Sequence, residues 1–507
     1  MVSAMQSIYT QIKQAIKSSI KLCCPPPIRK SLSAYLYKKR RDREFSRLYL
    51  ARKSAPPLAF LSHKDPPNTA AKETKAQKIR VLFYNDWGNS WEALEPLALA
   101  LSANPLFEVI VLAMPSRVES SAFYDLNASI STQSFAQKVR TQATLVQDIL
   151  GGLDSSLARA KSLRTARLAQ WLESSLAQSP KPVCLIGFDS ALNVPITPQD
   201  LAAHYCFTTR PYDSLRPEPF SNHAIAQVSK LCYVEYGVYM FSACEQDISA
   251  YDPMLLRYYD YLFSPTDFHT WLSSSRQSVP SLLHIITTGS AYFEAILAAS
   301  LRSQKARANK PLRVLWTPRW AACDMHSTFL RYVDVLLEQA RGGRFLLHFR
   351  PHPNMYDHLV VESKILSKQR WQDIKESIDR YGKWDMRPSI IESFNDCDVI
   401  ISDTSSMLIY AFLSGKPTIY TQGDSTAEIS AWALRVVQGV LITTTEGELL
   451  QVLDDLCLHL PQAFAPKAAL RSYILQQNFH FPKQGASSAI TQALLQDMTE
   501  SNLKEQQ

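Results

Sequence analysis

Several things are missing from this 507-residue chain, and each absence excludes a class of protein. No two of its nine cysteines form a C-x-x-C pair, which argues against both a structural zinc site and a disulfide framework. Those inside apolar runs, such as Cys184 in VCLIGF, read as small buried hydrophobes of an intracellular, reduced protein. No apolar run approaches the roughly 20 residues that span a bilayer. The lysine-bearing start spaces its apolar residues at helical intervals, so no secretory signal block is expected there. Internal repeats and low-complexity tracts are absent. No D-x-D motif stands out, so no metal and no resident cofactor are expected.

What is present is a globular composition, 46% apolar and 20% charged, in a chain too long for one compact core. The net charge of +8 is unevenly placed: residues 1–53 hold 13 Lys and Arg against Asp42 and Glu44, a surplus of +11, which leaves about −3 for the remainder. Ile8, Ile12, Ile16 and Ile20 share a helical stripe, with Lys13, Lys17 and Lys21 on another. This basic amphipathic helix suits adsorption to an anionic leaflet, at about 1 kcal/mol per basic residue near the surface, or packing on the body through its isoleucines. The expectation is a cytoplasmic protein resting on the inner face of a membrane through residues 1–53, with no nucleic-acid partner.

From KIRVLFYNDW onward, short apolar runs alternate with helical patterns. The runs are Val81–Tyr84, FEVIVLAMPS (107–116), VCLIGFDS (183–190), LCYVEYGVYM (231–240), YLFSPTD (261–267) and IITTGSAYF (285–293), with a long helical stretch over 134–178. A charged patch at 302–310 interrupts the rhythm. It restarts at RVLWTP (313–318), RFLLHFRPHP (344–353), DVIISD (398–403), PTIYTQG (417–423) and VLITTT (440–445), with helices at 326–341 and 405–414. Buried strands alternating with helices specify parallel sheets covered on both faces. The predicted fold is therefore α/β, two Rossmann-like doubly wound domains facing a cleft, the GT-B arrangement. The expected division is a basic helical extension over 1–76, a first lobe over 77–305, a nucleotide-donor lobe over 306–490 and a polar tail over 491–507. The site is expected in the cleft, at the carboxyl ends of the strands.

Three segments supply candidate chemistry. In DVIISDTSSMLIYAFLSGKPTIY (398–420), a strand ends at Ser402 and Asp403, and Thr404, Ser405 and Ser406 open an apolar-striped helix. Small hydroxyls and free amides at a positive helix end suit a phosphate, with Asp403 placed to cap the helix or hold a ribose hydroxyl. An ordinary capped helix is the plainer reading of the same residues. In LLHFRPHPNMYD (346–357), period-two spacing predicts His348, Arg350 and His352 on one face if the strand runs that far. That grouping suits a diphosphate and a leaving phosphate, although histidines in loops usually bond only to backbone. In LWTPRWAACDMHS (315–327), Arg319 could reach donor phosphates and Trp320 could stack on a base.

In this order and spacing, TPRW (317–320), RPHP (350–353) and SDTSSMLIYAFLSGKPTIY (402–420) resemble the CDP-glycerol glycerophosphotransferase family of teichoic-acid primases and polymerases. The resemblance covers about residues 260–450. It implies a GT-B fold, a CDP-linked polyol as donor substrate, inverting attack by a hydroxyl of a saccharide or lipid-linked acceptor, and work at a membrane on teichoic-acid- or capsule-like polymer. By the same resemblance, His352 assists departure of the nucleotide phosphate, and Asp403, Ser405, Ser406 and Arg319 bind the donor, with Thr404 where the family has tyrosine. The family's W-H-G-T-P-x-K stretch is not found; the nearest H-G position is Tyr236–Gly237. The general base must then come from Glu235, His204 or Asp86. Two other functions stay open: a glycosyltransferase taking a nucleotide sugar, for which Asp424 and Glu428 are available, and a non-catalytic polymer-binding scaffold.

Overall fold

The computed structural model describes residues 47, 78–85, 88–113, 182–186, 188–189, 194–210, 216, 220–237, 240, 256–266, 283–302, 311–320, 327–352, 355–387, 389–424 and 429–505. The basic stripe of residues 8–21, the helical stretch expected over 134–178, Asp86 and Glu428 lie outside the described residues.

The apolar runs become two all-parallel sheets. In the first lobe the strands are β1 (Ile79–Asn85), β2 (Phe107–Ala113), β3 (Val183–Ile186), β6 (Tyr205–Thr208), β7 (Lys230–Val234), β8 (Tyr261–Ser264) and β9 (His284–Thr287), in the spatial order β3-β2-β1-β6-β7-β8-β9. Two short strands, β4 (Phe188–Asp189) and β5 (Val194–Pro195), pair separately and antiparallel. The second lobe has β10 (Leu312–Thr317), β11 (Phe345–Phe349), β12 (Gly382–Trp384), β13 (Val399–Ser402), β14 (Thr418–Thr421) and β15 (Leu441–Thr443), in the order β12-β11-β10-β13-β14-β15. Counted within each lobe, both sheets begin 3-2-1-4-5-6, so each reverses direction between its first and fourth strands. That reversal defines a doubly wound sheet, and it opens a crevice at the carboxyl ends of the two strands that flank it. Two such lobes in one chain make the fold GT-B.

Both faces of each sheet are buried, which is why the strands read as continuous apolar runs. In the first lobe Leu82, Ile110 and Leu231 pack to one side and Val81, Phe83, Val109 and Phe207 to the other. In the second, Val314, Leu347, Val399 and Ile401 face the helix Phe329–Arg341, while Leu315 and Ile400 face the helix Ser406–Leu413. Three expectations are adjusted. The strand of the stretch 344–353 ends at Phe349: the Arg350 N–H still bonds the Trp316 carbonyl at 3.0 Å, but Pro351 has no N–H to carry the ladder further. The strand expected within 285–293 ends at Thr287, and Ala291–Arg302 is a helix. In place of the polar tail expected over 491–507, Ala486–Glu505 is a helix that returns to the first lobe and buries Ile490 and Leu494 in its core.

That return is fastened by charge. Asp497 accepts Lys230 Nζ at 2.7 and 2.6 Å on its two oxygens, the Tyr261 hydroxyl at 2.6 Å, and the Tyr205 hydroxyl. Burial would raise this carboxyl, but Lys230 and the two phenols hold it below the usual range. The crossing chain is closely seated as well. A Cβ at Gly289, whose φ is +75°, would come within 2.5 Å of the His480 carbonyl oxygen, so only glycine fits there. Among the described residues Cys206, Cys232 and Cys397 are buried thiols and Cys457 is exposed. Among them also, no helix is long and apolar enough to cross a membrane, and no group of three His, Cys, Asp or Glu could hold a metal ion.

Candidate functional site

The reversal in the second sheet lies between β10 and β13, so the loops after Thr317 and Ser402 sit side by side. These are the TPRW and SDTSS segments. Asp403 joins them. Its carboxylate is fully buried, Oδ1 accepting the Arg319 backbone N–H at 2.8 Å and Oδ2 the Thr328 N–H at 2.9 Å. Burial pushes the Asp403 carboxyl up to about 7, against the two amide bonds and the Arg319 charge, which pull it down. Asp403 therefore does not serve the helix Ser406–Leu413 that follows it. It fixes the Arg319 loop and the start of the helix Phe329–Arg341 to the end of β13.

Thr404 is also turned inward, its Oγ1 lying 2.7 Å from the Tyr420 hydroxyl. Ser405 and Ser406 remain half-buried at the start of the helix Ser406–Leu413. Ser405 is the N-cap residue, yet its hydroxyl accepts no first-turn amide; Oγ lies 3.4 Å from Ser402 Oγ. A helix start whose capping hydroxyl is not used on its own amides suits an anion.

The RPHP segment is split by the early end of β11. His348 is inside the sheet, 5% exposed, with Nδ1 unpartnered, and burial lowers its pKa. It is a buried histidine within the sheet. Arg350 turns within its lobe, its Nη1 donating to the Arg387 carbonyl at 2.7 Å and to Ser393 Oγ at 3.1 Å, with Asp385 Oδ1 at 3.8 Å. Asp385 is completely buried and also receives Arg387 Nε at 2.9 Å and Nη2 at 2.7 Å, and its carboxyl is held far below the usual range by these bonds despite burial. His352 lies beyond the strand with its ring stacked on Trp320, centroids 5.9 Å apart. Trp320 meets His358 edge-on at 5.1 Å. The structure thus brings Arg319, Trp320, His352, Ser405 and Ser406 to one end of the second sheet, and sends His348, Asp403 and Thr404 into its support.

Across the crevice, the end of β7 carries Glu235, Tyr236 and Gly237. The Tyr236 carbonyl accepts the Tyr410 hydroxyl from the helix Ser406–Leu413. A Cβ on Gly237 would lie 3.0 Å from Ser406 Cβ and Oγ and 3.3 Å from the Tyr410 hydroxyl. The first lobe therefore touches the second at the helix start itself, and Tyr236–Gly237, the nearest equivalent of an H-G pair, makes the contact. Glu235 is 6% exposed, and its charge adds to the burial that drives the Tyr410 hydroxyl well up. His204 falls out as a base candidate: it precedes β6, at the amino end of the strand, with Nδ1 accepting the Arg80 N–H at 2.9 Å. Asp424 is engaged by Arg331 in an ion pair. Asp396 and Asp398 spell D-x-D, but both lie at the amino end of β13 on Arg313. Glu92, Tyr292 and Asp385 sit in no motif, and Tyr410, though inside the 402–420 segment, reads there only as part of an apolar helix.

A scan of protein-family models finds no match, and neither does a search of curated proteins. Among solved structures, the chain is similar to the UDP-GlcNAc 2-epimerase from Neisseria meningitidis bound to UDP-GlcNAc, at 14% identity over 83% of this chain and 100% of that one, with a TM-score of 0.45. It is similar to the wall teichoic acid polymerase TagF soaked with CDPG, at 11% identity over 92% of this chain and 98% of that one, TM-score 0.42. A mutant O-GlcNAc transferase of Thermobaculum terrenum aligns at 11% identity over 90% and 74% of the two chains, TM-score 0.36. Likenesses this distant carry no argument about activity; the two-lobed GT-B architecture rests on the strand orders of the two sheets.

Proposed function

We propose that this protein is a GT-B transferase that moves a polyol phosphate from a CDP-linked donor, of the CDP-glycerol kind, to a hydroxyl of a saccharide or lipid-linked acceptor. The observation that carries the reading is the grouping at the second lobe's reversal point: the Arg319 loop tied to Asp403, His352 stacked on Trp320, and the Ser405–Ser406 helix start, of which Ser406 meets Gly237 of the first lobe.

In this reading the helix amides and the two serine hydroxyls hold the donor phosphates, with Arg319 adding charge. The acceptor oxygen attacks the polyol-bearing phosphorus, forming a new P–O bond as the bridging P–O bond to CMP breaks. The acceptor proton passes to a first-lobe carboxylate, for which Glu235 is the described candidate, and CMP leaves with the negative charge that His352 and Arg350 offset. Phosphoryl transfer of this type depends on positioning and charge stabilisation more than on covalent catalysis. Residues 1–53 would keep the site near a lipid-linked acceptor through their basic surplus, which vesicle sedimentation with and without anionic lipid checks.

The test is CMP release from CDP-glycerol. His352→Ala should abolish release while leaving the folded protein intact, and undiminished turnover in that variant would refute the role. A panel of CDP-polyols, UDP-sugars and CMP-sugars, watched by thermal shift, separates this donor class from a nucleotide sugar; stabilisation by a nucleotide sugar alone defeats the polyol-phosphate reading.

A further inference from the structure

Trp320 offers a surface on which a base could stack, but two imidazoles already lie against its ring. His352 stacks on it, with centroids 5.9 Å and planes 30° apart, and His358 meets it edge-on at 5.1 Å. The indole is half-buried and packs on the second lobe's core. His358 belongs to the π-helical turn Asp357–Glu362, with Nε2 buried and without a hydrogen-bond partner and Nδ1 3.7 Å from Glu362 Oε2. Single π-helical turns are rare and frequent at functional sites.

The backbone on each side of the stack is anchored. Arg319, next to Trp320, is gripped at both of its polar groups: Asp403 Oδ1 accepts its N–H at 2.8 Å, and Ser327 Oγ donates to its carbonyl at 2.7 Å. On the histidine side, the Arg350 N–H donates to the Trp316 carbonyl at 3.0 Å and the Met355 N–H to the His352 carbonyl at 2.9 Å. Pro351 fixes φ just before the histidine. These bonds set where the two side chains start and leave the turn of the imidazole to side-chain packing. An indole holds an imidazole by its face. Unlike a carboxylate or carbonyl partner, it makes no claim on the in-plane ring nitrogens, the atoms that can serve a phosphate.

We infer that Trp320 is a positioning residue: it sets the orientation of the His352 imidazole toward the departing phosphate, backed by His358, and does not receive the donor's base. One loop thereby places both the Arg319 charge and the His352 ring. The inference rests on the crevice being a phosphate-donor site.

The experiment compares wild-type protein with Trp320→Leu and Trp320→Phe by two readouts. The first needs no donor: the imidazole Cε1–H proton of His352, identified among eleven histidines by its loss in His352→Ala, is followed by NMR. Stacking on an indole displaces that resonance upfield, so it should move downfield in Trp320→Leu and less so in Trp320→Phe. The second is CMP release from CDP-glycerol. Trp320→Leu should lower kcat about ten- to a hundredfold, as expected for loss of orientation at a reacting group, with KM for the donor within about twofold. Trp320→Phe should recover most of the rate. A resonance that stays in place in Trp320→Leu overturns the inference, as does an undiminished kcat. A raised KM at unchanged kcat also overturns it, because the indole then binds the donor itself. If the wild-type protein releases no CMP, the donor reading falls and takes the catalytic part of the inference with it, while the resonance still decides whether Trp320 orients His352.

Discussion

The Asp403 carboxylate holds Arg319 by its backbone: Oδ1 accepts the Arg319 N–H at 2.8 Å, while Oδ2 takes the Thr328 N–H at 2.9 Å. An aspartate at the end of a strand, beside hydroxyls that open a helix, invites a ligand-binding role. Here it fixes the loop that carries Arg319.

Asp403→Asn should therefore destabilise the protein by about 1–3 kcal/mol, since one oxygen becomes an NH2 group facing an N–H donor. Urea unfolding measures the change.

The same residue gives a pH signature. Its folded-state pKa, about 7, stands above the ordinary value of 3.8. The stability it contributes is complete below about pH 4 and is lost as pH rises toward and through 7. The urea midpoint of the wild type should fall relative to that of Asp403→Asn between pH 4 and pH 7.5. A difference that is flat across this range excludes the buried, protonated carboxyl.

Gly237→Ala places a methyl 3.0 Å from Ser406 Cβ and Oγ. Overpacking of this kind typically costs about 1–3 kcal/mol. The strain should be relieved in the Gly237→Ala/Ser406→Gly double variant, which should melt higher than Gly237→Ala alone. If the second change merely adds its own loss, the contact is not the source of the strain.

Asp497→Ala removes the one carboxylate that Lys230, Tyr205 and Tyr261 share. Leaving a half-buried lysine unpaired should cost about 3 kcal/mol, and the loss should fall on the first lobe. Hydrogen exchange should accelerate in β6, β7 and β8 while β10, β11 and β13 keep their protection. Because this carboxyl is held below its ordinary value, its contribution is present above about pH 4 and is lost as the pH falls further.

Much of this was legible in the sequence. Val81–Tyr84 and Val399–Ile401 declared buried parallel strands by unbroken apolar character, and the turn residues after Ile401 marked the helix Ser406–Leu413. The side-chain directions at the site were not legible. His348, Arg350 and His352 share a period of two, but the sheet stops at Phe349, so the period fails where it was needed. Thr404 is drawn inward by Tyr420, sixteen positions away, and Glu92 accepts the hydroxyl of Tyr292, two hundred positions away. Such partners are set by how lobes and crossovers meet, which no local pattern encodes. The C-terminal helix did leave a trace, since Ile490, Leu494 and Met498 recur at four-residue intervals along otherwise polar sequence.

The return of residues 486–505 to the first lobe has a mechanical corollary. The second lobe leaves the first near residue 302 and rejoins it through 479–485, so it is tethered at two places rather than one. A body held at two points keeps a single easy rotation, about the line that joins them. The rejoining segment is seated closely on Gly289. Any parting of the lobes about that line would have to break the Tyr236–Tyr410 bond and the Gly237–Ser406 contact.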